Sequence, residues 1–422
     1  MLNTDRHPCF NAAVKGECGR VHLPVAPKCN ILCNYCNRKY DCVNESRPGV
    51  TSAVLGPAQA VAYLEQVLAQ EPRITVAGIA GPGDPFANPR ETMETLRLIR
   101  ERFPDLLLCL ATNGLGLPPY LDDLAALQVS HVTVTVNAVD PEIGRQIYSW
   151  VRDGKKVYRG RQAAELLLER QLAAIEGLKA RGLMVKVNTI IIPGVNDTHV
   201  AAVAHRMAEL QVDVLNCMPV YPNADTPFGE LMEPAPESMA AIRAAAEEYL
   251  PQMQHCTRCR ADAVGLLNAD RTEEFRGCLT ECSQKIDLPA DRPYVAVATR
   301  EGMLVNLHLG EAAFFQIWGP NGRGFKLIAE RPAPQPGGGA QRWFALAVVL
   351  QDCRAVLVSA VGETPGAILS ECGLKPVETS GFIDTALAAV YAGAPLALLK
   401  GRQGGLAKPC SGGKTGPGGG CM

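Results

Sequence analysis

Cys29, Cys33 and Cys36 form a Cys-x3-Cys-x2-Cys motif just after the short apolar run Val21–Ala26. Three thiolates at this spacing can hold three irons of a [4Fe–4S] cluster. The fourth iron then receives no cysteine from the motif. An open iron is a binding position, which makes such a cluster reactive rather than decorative. A structural zinc knot is the competing reading, but zinc sites usually pair one CxxC with a second CxxC or with HxxxH.

Those cysteines need elements to position them. β-Branched runs occur at Val21–Ala26, Ile74–Ile79, Leu106–Ala111, Val132–Val136, Met184–Ile192 and Val212–Cys217. Helical patterns follow near Pro57–Gln70, Arg90–Arg102, Pro119–Leu127, Ala163–Arg181, Asp197–Leu210 and Glu237–Tyr249. Alternation of this kind predicts βαβ units, an α/β fold and a parallel sheet. Six such units are too few for a closed eightfold barrel, so the expectation is an open, partial (β/α)6 barrel. Both the cysteine spacing and this architecture resemble the radical S-adenosylmethionine (SAM) enzymes. In that family the amino and carboxylate groups of SAM chelate the open iron, and an electron from the cluster cleaves the sulfonium to a 5′-deoxyadenosyl radical.

Function in such a sheet sits beyond the carboxyl ends of the strands. Gly81-Pro82-Gly83-Asp84 follows the second run, Asn113 the third, Asn137 the fourth, Pro193–Asp197 the fifth and Met218–Pro222 the sixth. Any one of these reads as an ordinary turn. Together on one rim, with the cysteine motif first, they predict a shared mouth. Glycine-freed amides at Gly81, Gly83 and Asp84 are expected to meet the amino-acid part of SAM. Asn113 and Asn137 either contact its carboxylate or ribose, or cap the turn that follows them.

Composition narrows the classes. The chain has 422 residues, which makes two domains the default. Lys+Arg of 41 against Asp+Glu of 43 gives no polyelectrolyte field, so neither nucleic acid nor an anionic membrane is an expected partner. No apolar run has the length of a transmembrane helix, and Met1–Asp5 does not open a signal peptide. Sixteen clustered cysteines then read as metal ligands in a reducing, cytoplasmic compartment. Spacing alone leaves Cys9, His22 and Cys109 unassigned, and leaves the Cys256-x2-Cys259 pair as a zinc, redox or cluster half-site.

Longer strings carry a narrower resemblance. His7-Pro8-Cys9-Phe10-Asn11, the run Cys29–Lys39 and the run Asp41–Gly49 resemble the NifB family of nitrogenase cofactor-maturation proteins. So do Ala77–Pro85, Asn188–Asp197, Asn216-Cys217-Met218-Pro219 and His255–Ala263. The resemblance covers about residues 7–270. It implies a radical SAM cluster on Cys29, Cys33 and Cys36, with two further [4Fe–4S] clusters as substrate. Cys9, His22 and Cys109 become ligands of one, and Cys42, Cys256 and Cys259 of the other. It also implies that the two substrate clusters are fused, with a SAM-derived carbon and one added sulfur, into an 8Fe-9S-C precursor of the nitrogenase cofactor. Implied partners are an iron–sulfur cluster donor protein, an electron donor and a carrier or scaffold that accepts the product. Glu45 resembles the family's acidic residue beside the SAM cluster. Cys217 is a candidate proton relay or transient sulfur ligand, weighed against simple packing.

The expected domains are 1–285, a linker at 286–292, a second α/β domain at 293–400 and a Gly-rich tail at 401–422. Strand-like runs in the second domain are Tyr294–Thr299, Phe314–Trp318, Phe344–Leu350 and Ala355–Ser359, with helices near Pro365–Cys372 and Phe382–Tyr391. This part resembles the small NifX-type cofactor-binding module, RNase H-like in fold. The resemblance makes His308 a contact for the product cluster. Two rival functions remain: another radical SAM enzyme with auxiliary clusters, or a cluster carrier that binds SAM without cleaving it.

Overall fold

The computed structural model describes residues 4–44, 49–284, 292–322 and 324–392. Glu45, most of the expected linker and the 401–422 tail lie outside the described residues. The chain divides into two compact units, Met1–Asp287 and Leu288–Met422.

The first unit is built on six parallel strands adjacent in chain order: Gly19–His22, Ile74–Ile79, Leu107–Thr112, Val129–Thr135, Met184–Ile191 and Val214–Pro219. An antiparallel hairpin, Val264–Leu266 with Ala269–Asp270, adds to the edge of the first strand. Every residue of Ile74–Ile79 and Val129–Thr135 is buried, as a sheet covered on both faces requires. The covering helices are Pro57–Gln70, Pro89–Arg102, Leu121–Ala126, Gly160–Ala180, Val200–Glu209 and Pro236–Glu247.

Local chemistry explains these elements. In Pro57–Gln70 the proline sits in the first turn, where its missing N–H is no loss. The Gln59 carboxamide accepts the Gly56 amide at 2.7 Å. Ala60, Tyr63, Leu64 and Val67 then form one buried face, with Leu64 and Val67 each stabilising by about 1.5–3 kcal/mol.

Three differences from expectation have physical reasons. The first strand runs Gly19–His22 and stops before Pro24, which has no N–H to donate. A small antiparallel sheet of Ile31–Cys33, Tyr148–Asp153 and Lys156–Tyr158 was not anticipated. Its strands are too short, and too mixed, for periodicity to register. In the second unit, Phe344–Leu350 is not a strand but the end of helix Ala340–Val349 and the residue after it. Leu346, Ala347 and Leu350 are buried at helical spacing, and a uniformly apolar run does not reveal its period.

The second unit is α/β. Its five-stranded sheet runs in the order Gly324–Pro332, Phe314–Asn321, Tyr294–Val297, Cys353–Val358, Lys375–Glu378. The first two pairings are antiparallel and the last two parallel. Helices Ala340–Val349, Glu363–Glu371 and Ile383–Ala392 accompany it.

Candidate active site

Two neighbouring cavities open within the first unit, and Ala111 lines both. The smaller has an empty volume of about 420 Å³ and is lined by Cys29, Cys33, Cys36 and Cys42, with Gly83, Asp84 and Asn113. The larger, about 640 Å³, gathers Cys9, His22, Cys109, Cys256 and Cys259.

The cysteine loop is braced from two sides. Ile31–Cys33 pairs with Tyr148–Asp153, setting Leu32 opposite Trp150 and Cys33 opposite Tyr148. From the other side comes the loop after the second strand. The Gly83 amide donates to Ala26 O at 2.6 Å and the Asp84 amide to Lys28 O at 2.8 Å. A Cβ on Gly83 would stand 2.1 Å from Lys28 O, so only glycine allows this approach. The Gly83 and Asp84 amides thus bond within the protein. The Asp84 carboxylate is also engaged. It accepts Thr112 Oγ1 at 2.9 Å and the amides of Asn113 at 2.7 Å and Phe86 at 2.9 Å. Gly81, with φ of +132°, accepts the Ala26 amide through its carbonyl.

Amide side chains address the thiols. Asn113 Nδ2 donates to Cys29 Sγ at 3.9 Å, and Asn44 Nδ2 to Cys33 Sγ at 4.0 Å. Tyr35 Oη donates to Asn44 Oδ1 at 2.6 Å and accepts Asn137 Nδ2 at 2.8 Å. Asn137 also accepts the Ile190 amide at 2.9 Å and is fully buried outside the cavity lining. It thereby ties the end of the fourth strand to the fifth. Burial pushes the Cys29 thiol up to about 12, and the Asp84 charge adds to this. Cys33 moves further in the same direction, again through burial first and then the neighbouring Cys36. Such thiols become thiolates only when a cation replaces the proton.

The larger cavity sits on the inward face of the strands. Side-chain alternation sends Arg20 and His22, Lys186 and Asn188, and Asn216 and Met218 into it. The same alternation sends Cys217 outward, fully buried in the apolar core. This placement favours packing among the alternatives weighed for Cys217. His22 donates from Nδ1 to Arg260 O at 2.8 Å, which leaves the Nε2 lone pair unprotonated. Burial, then the Arg20 charge, holds its pKa down at about 4, so the ring is neutral. Gly78 makes room for it: a Cβ there would meet His22 Cδ2 at 3.2 Å. A carbonyl-anchored, neutral imidazole is the arrangement of a metal-bound histidine.

Sequence reasoning missed Arg20, which is 1% exposed. Its Nε and Nη2 donate to Cys259 Sγ at 3.2 and 3.1 Å. The signal available was its place two residues before His22 on the same strand face. Cys42 lines the smaller cavity, apart from Cys256 and Cys259 in the larger. Cys278 and Cys282 lie on helix Thr272–Ser283, where Gln66 accepts from one thiol at 3.1 Å and donates to the other at 3.4 Å. In the second unit His308 caps a short turn, its Nδ1 accepting the Gly310 amide at 3.0 Å.

A radical SAM superfamily model matches residues 23–207, and a dinitrogenase iron-molybdenum cofactor model matches 292–393. The FeMo cofactor biosynthesis protein NifB of Chlorobaculum tepidum is 53% identical, with 95% of this chain and 96% of that protein covered. The chain belongs to the NifB family. NifB of Klebsiella pneumoniae is 42% identical over 88% of this chain and 86% of its own. Among solved structures, Streptococcus suis SuiB bound to S-adenosylmethionine aligns at 13% identity and a TM-score of 0.41, covering 55% of this chain and 50% of that one.

A NifB-family chain is a radical SAM protein of FeMo cofactor biosynthesis, and radical SAM membership implies a [4Fe–4S] cluster with SAM. The smaller cavity fits that group. It presents the motif thiols of Cys29, Cys33 and Cys36, each buried or half-buried, with one amide N–H directed at Cys29 Sγ and another at Cys33 Sγ. Among the described residues, no three or more His, Cys, Asp and Glu side chains are arranged to hold a single metal ion. The donor set suits one thiolate per iron of a polynuclear cluster. No helix among the described residues is long and apolar enough to cross a membrane.

Proposed function

We propose that this chain fuses two [4Fe–4S] substrate clusters, with a SAM-derived carbon and one added sulfur, into the 8Fe-9S-C precursor of the nitrogenase cofactor. One observation carries the reading: a cavity holding four cysteines and a ligand-oriented histidine shares a wall with the Cys29/Cys33/Cys36 cavity.

In this reading Cys29, Cys33 and Cys36 hold the SAM cluster, which together with SAM supplies a methyl group and a carbon-centred radical. Gly83, Asp84 and Asn113 line the cavity that takes SAM, Asp84 by fixing the end of the third strand, and Gly81 supports them by tying its loop to Ala26. Asn137 acts indirectly, through Tyr35 and Asn44. Cys9, His22 and Cys109 ligate one substrate cluster; Cys42, Cys256 and Cys259 ligate the other. Because Cys42 stands in the smaller cavity, the second set spans both, and its cluster lies toward the shared wall. Neutral His22 leaves iron more readily than a thiolate does, which suits a substrate that must be released. Arg20 and Lys186 bring positive charge to thiolate-rich, anionic substrates. Glu45 remains a proposed occupant of the open iron before SAM binds.

The second unit is proposed to hold product for a carrier or scaffold protein. With Nδ1 of His308 accepting an amide, its neutral ring carries the proton on Nε2. Contact with a cluster through Nε2 is then donation to a sulfide. An electron donor and an iron–sulfur cluster donor complete the proposed partners, in a cytoplasmic setting.

The test is iron and acid-labile sulfide per chain after anaerobic reconstitution and desalting. About twelve irons are expected, for three [4Fe–4S] clusters. About four irons would leave a generic radical SAM enzyme as the better reading.

A further inference from the structure

The larger cavity contains a donor without an acceptor. His7 is 2% exposed, lines this cavity, and has a buried Nε2 with no hydrogen-bond partner. Its ring is held in place. Nδ1 accepts the Cys9 amide at 3.2 Å, the His131 ring centroid lies 4.3 Å away, and Phe10 packs near edge-on at 4.9 Å. Because Nδ1 accepts an N–H, the proton of the neutral ring sits on Nε2.

A buried donor left unpaired costs about 1–3 kcal/mol. A ring fixed in that orientation therefore calls for an acceptor that enters the cavity. The charged side chains nearby do not supply one. Lys186, with its ammonium 5.6 Å from the Phe10 ring, and Arg20, directed at Cys259, carry donors only. Donors and positive charge on one wall, and soft iron ligands around it, define the missing acceptor as anionic and iron-bound.

We infer that His7 is a positioning residue that donates its Nε2 proton in a hydrogen bond to a sulfide of the iron–sulfur substrate in this cavity. The inference rests on the proposed assignment of the cavity to substrate clusters. Within it, two histidines divide the work: His22 offers a lone pair to iron, and His7 offers a proton to sulfur. An N–H···S bond draws electron density from the sulfide, so it raises the cluster's reduction potential and fixes its orientation.

The experiment compares the full-length chain with His7→Phe and His7→Gln, each reconstituted anaerobically. Phenylalanine keeps the aromatic packing and removes the donor; glutamine restores an N–H. Iron per chain, cluster potentials by EPR-monitored redox titration, SAM cleavage and product are all measured. Iron content and SAM cleavage are expected to match in all three. In His7→Phe one potential falls and product drops about tenfold; in His7→Gln both recover. Unchanged potentials and product in a fully loaded His7→Phe overturn the inference and leave the cavity assignment standing. Equal losses in both variants also overturn it, since His7 then serves packing alone. A wild-type chain with only about four irons overturns the cavity assignment and the inference together.

Discussion

His22 in the first unit and His308 in the second are oriented in opposite senses. In the barrel, His22 gives its Nδ1 proton to the Arg260 carbonyl, so Nε2 presents a lone pair. In the second unit, His308 receives the Gly310 amide at Nδ1, so Nε2 presents an N–H. Both residues are singled out by sequence strings, yet the partner at Nδ1 decides what each can do. A carbonyl partner leaves a lone pair to offer at Nε2; an amide partner leaves an N–H. Their settings differ too. His22 lies in a cavity with four cysteines, whereas His308 caps a short turn.

The sharpest break between regions is expected at the smaller cavity. Cys29→Ala should abolish 5′-deoxyadenosine formation, followed by chromatography of the reaction mixture, while iron in the larger cavity stays. Loss of all iron would join the two cavities into one folding-dependent site and dissolve the distinction between them.

A middle-sized effect separates the histidines. His22→Ala should spare SAM cleavage and deplete roughly one cluster's worth of iron, about four per chain. His308→Ala should leave iron in place and cost about 0.5–2 kcal/mol in the second unit through the lost cap, read by thermal denaturation. Iron loss in His308→Ala, or full iron and normal product in His22→Ala, would contradict the contrast drawn from their Nδ1 partners.

The smallest effect is expected at Cys217. Its side chain faces the core, so Cys217→Ala should keep product formation within about twofold and lower stability by about 1 kcal/mol. A collapse of product formation at unchanged stability would return it to the catalytic set.

Much of the barrel is legible because its strands and helices are long enough to show their period. Ile74–Ile79 and Pro57–Gln70 appear with the limits read from the sequence. Short or uniformly apolar segments are not legible. The three-residue strand Ile31–Cys33 has no period to read, and Phe344–Leu350 is apolar on every face. Among the candidate site residues, Cys29, Cys33 and Cys36 announce themselves because three thiols come from one loop. Arg20 does not, because its partner Cys259 is 239 residues away. Asn137 and Asp84 show the converse: residues at strand ends drew attention as ligand contacts, but their polar atoms bond the protein itself.

The amino-acid sequence by itself determines the ligand chemistry available, the βαβ order and the NifB-type strings, since residue identity and local spacing are properties of the chain. The tertiary structure alone decides which ligands meet and which atom of each is offered. Strand alternation turns Asn216 into the larger cavity and Cys217 away from it, although they are neighbours. Long-range hydrogen bonds place the proton of His22 on one nitrogen, and a local amide places that of His7 on the other. Direction is a property of the packed backbone, and no residue type carries it alone.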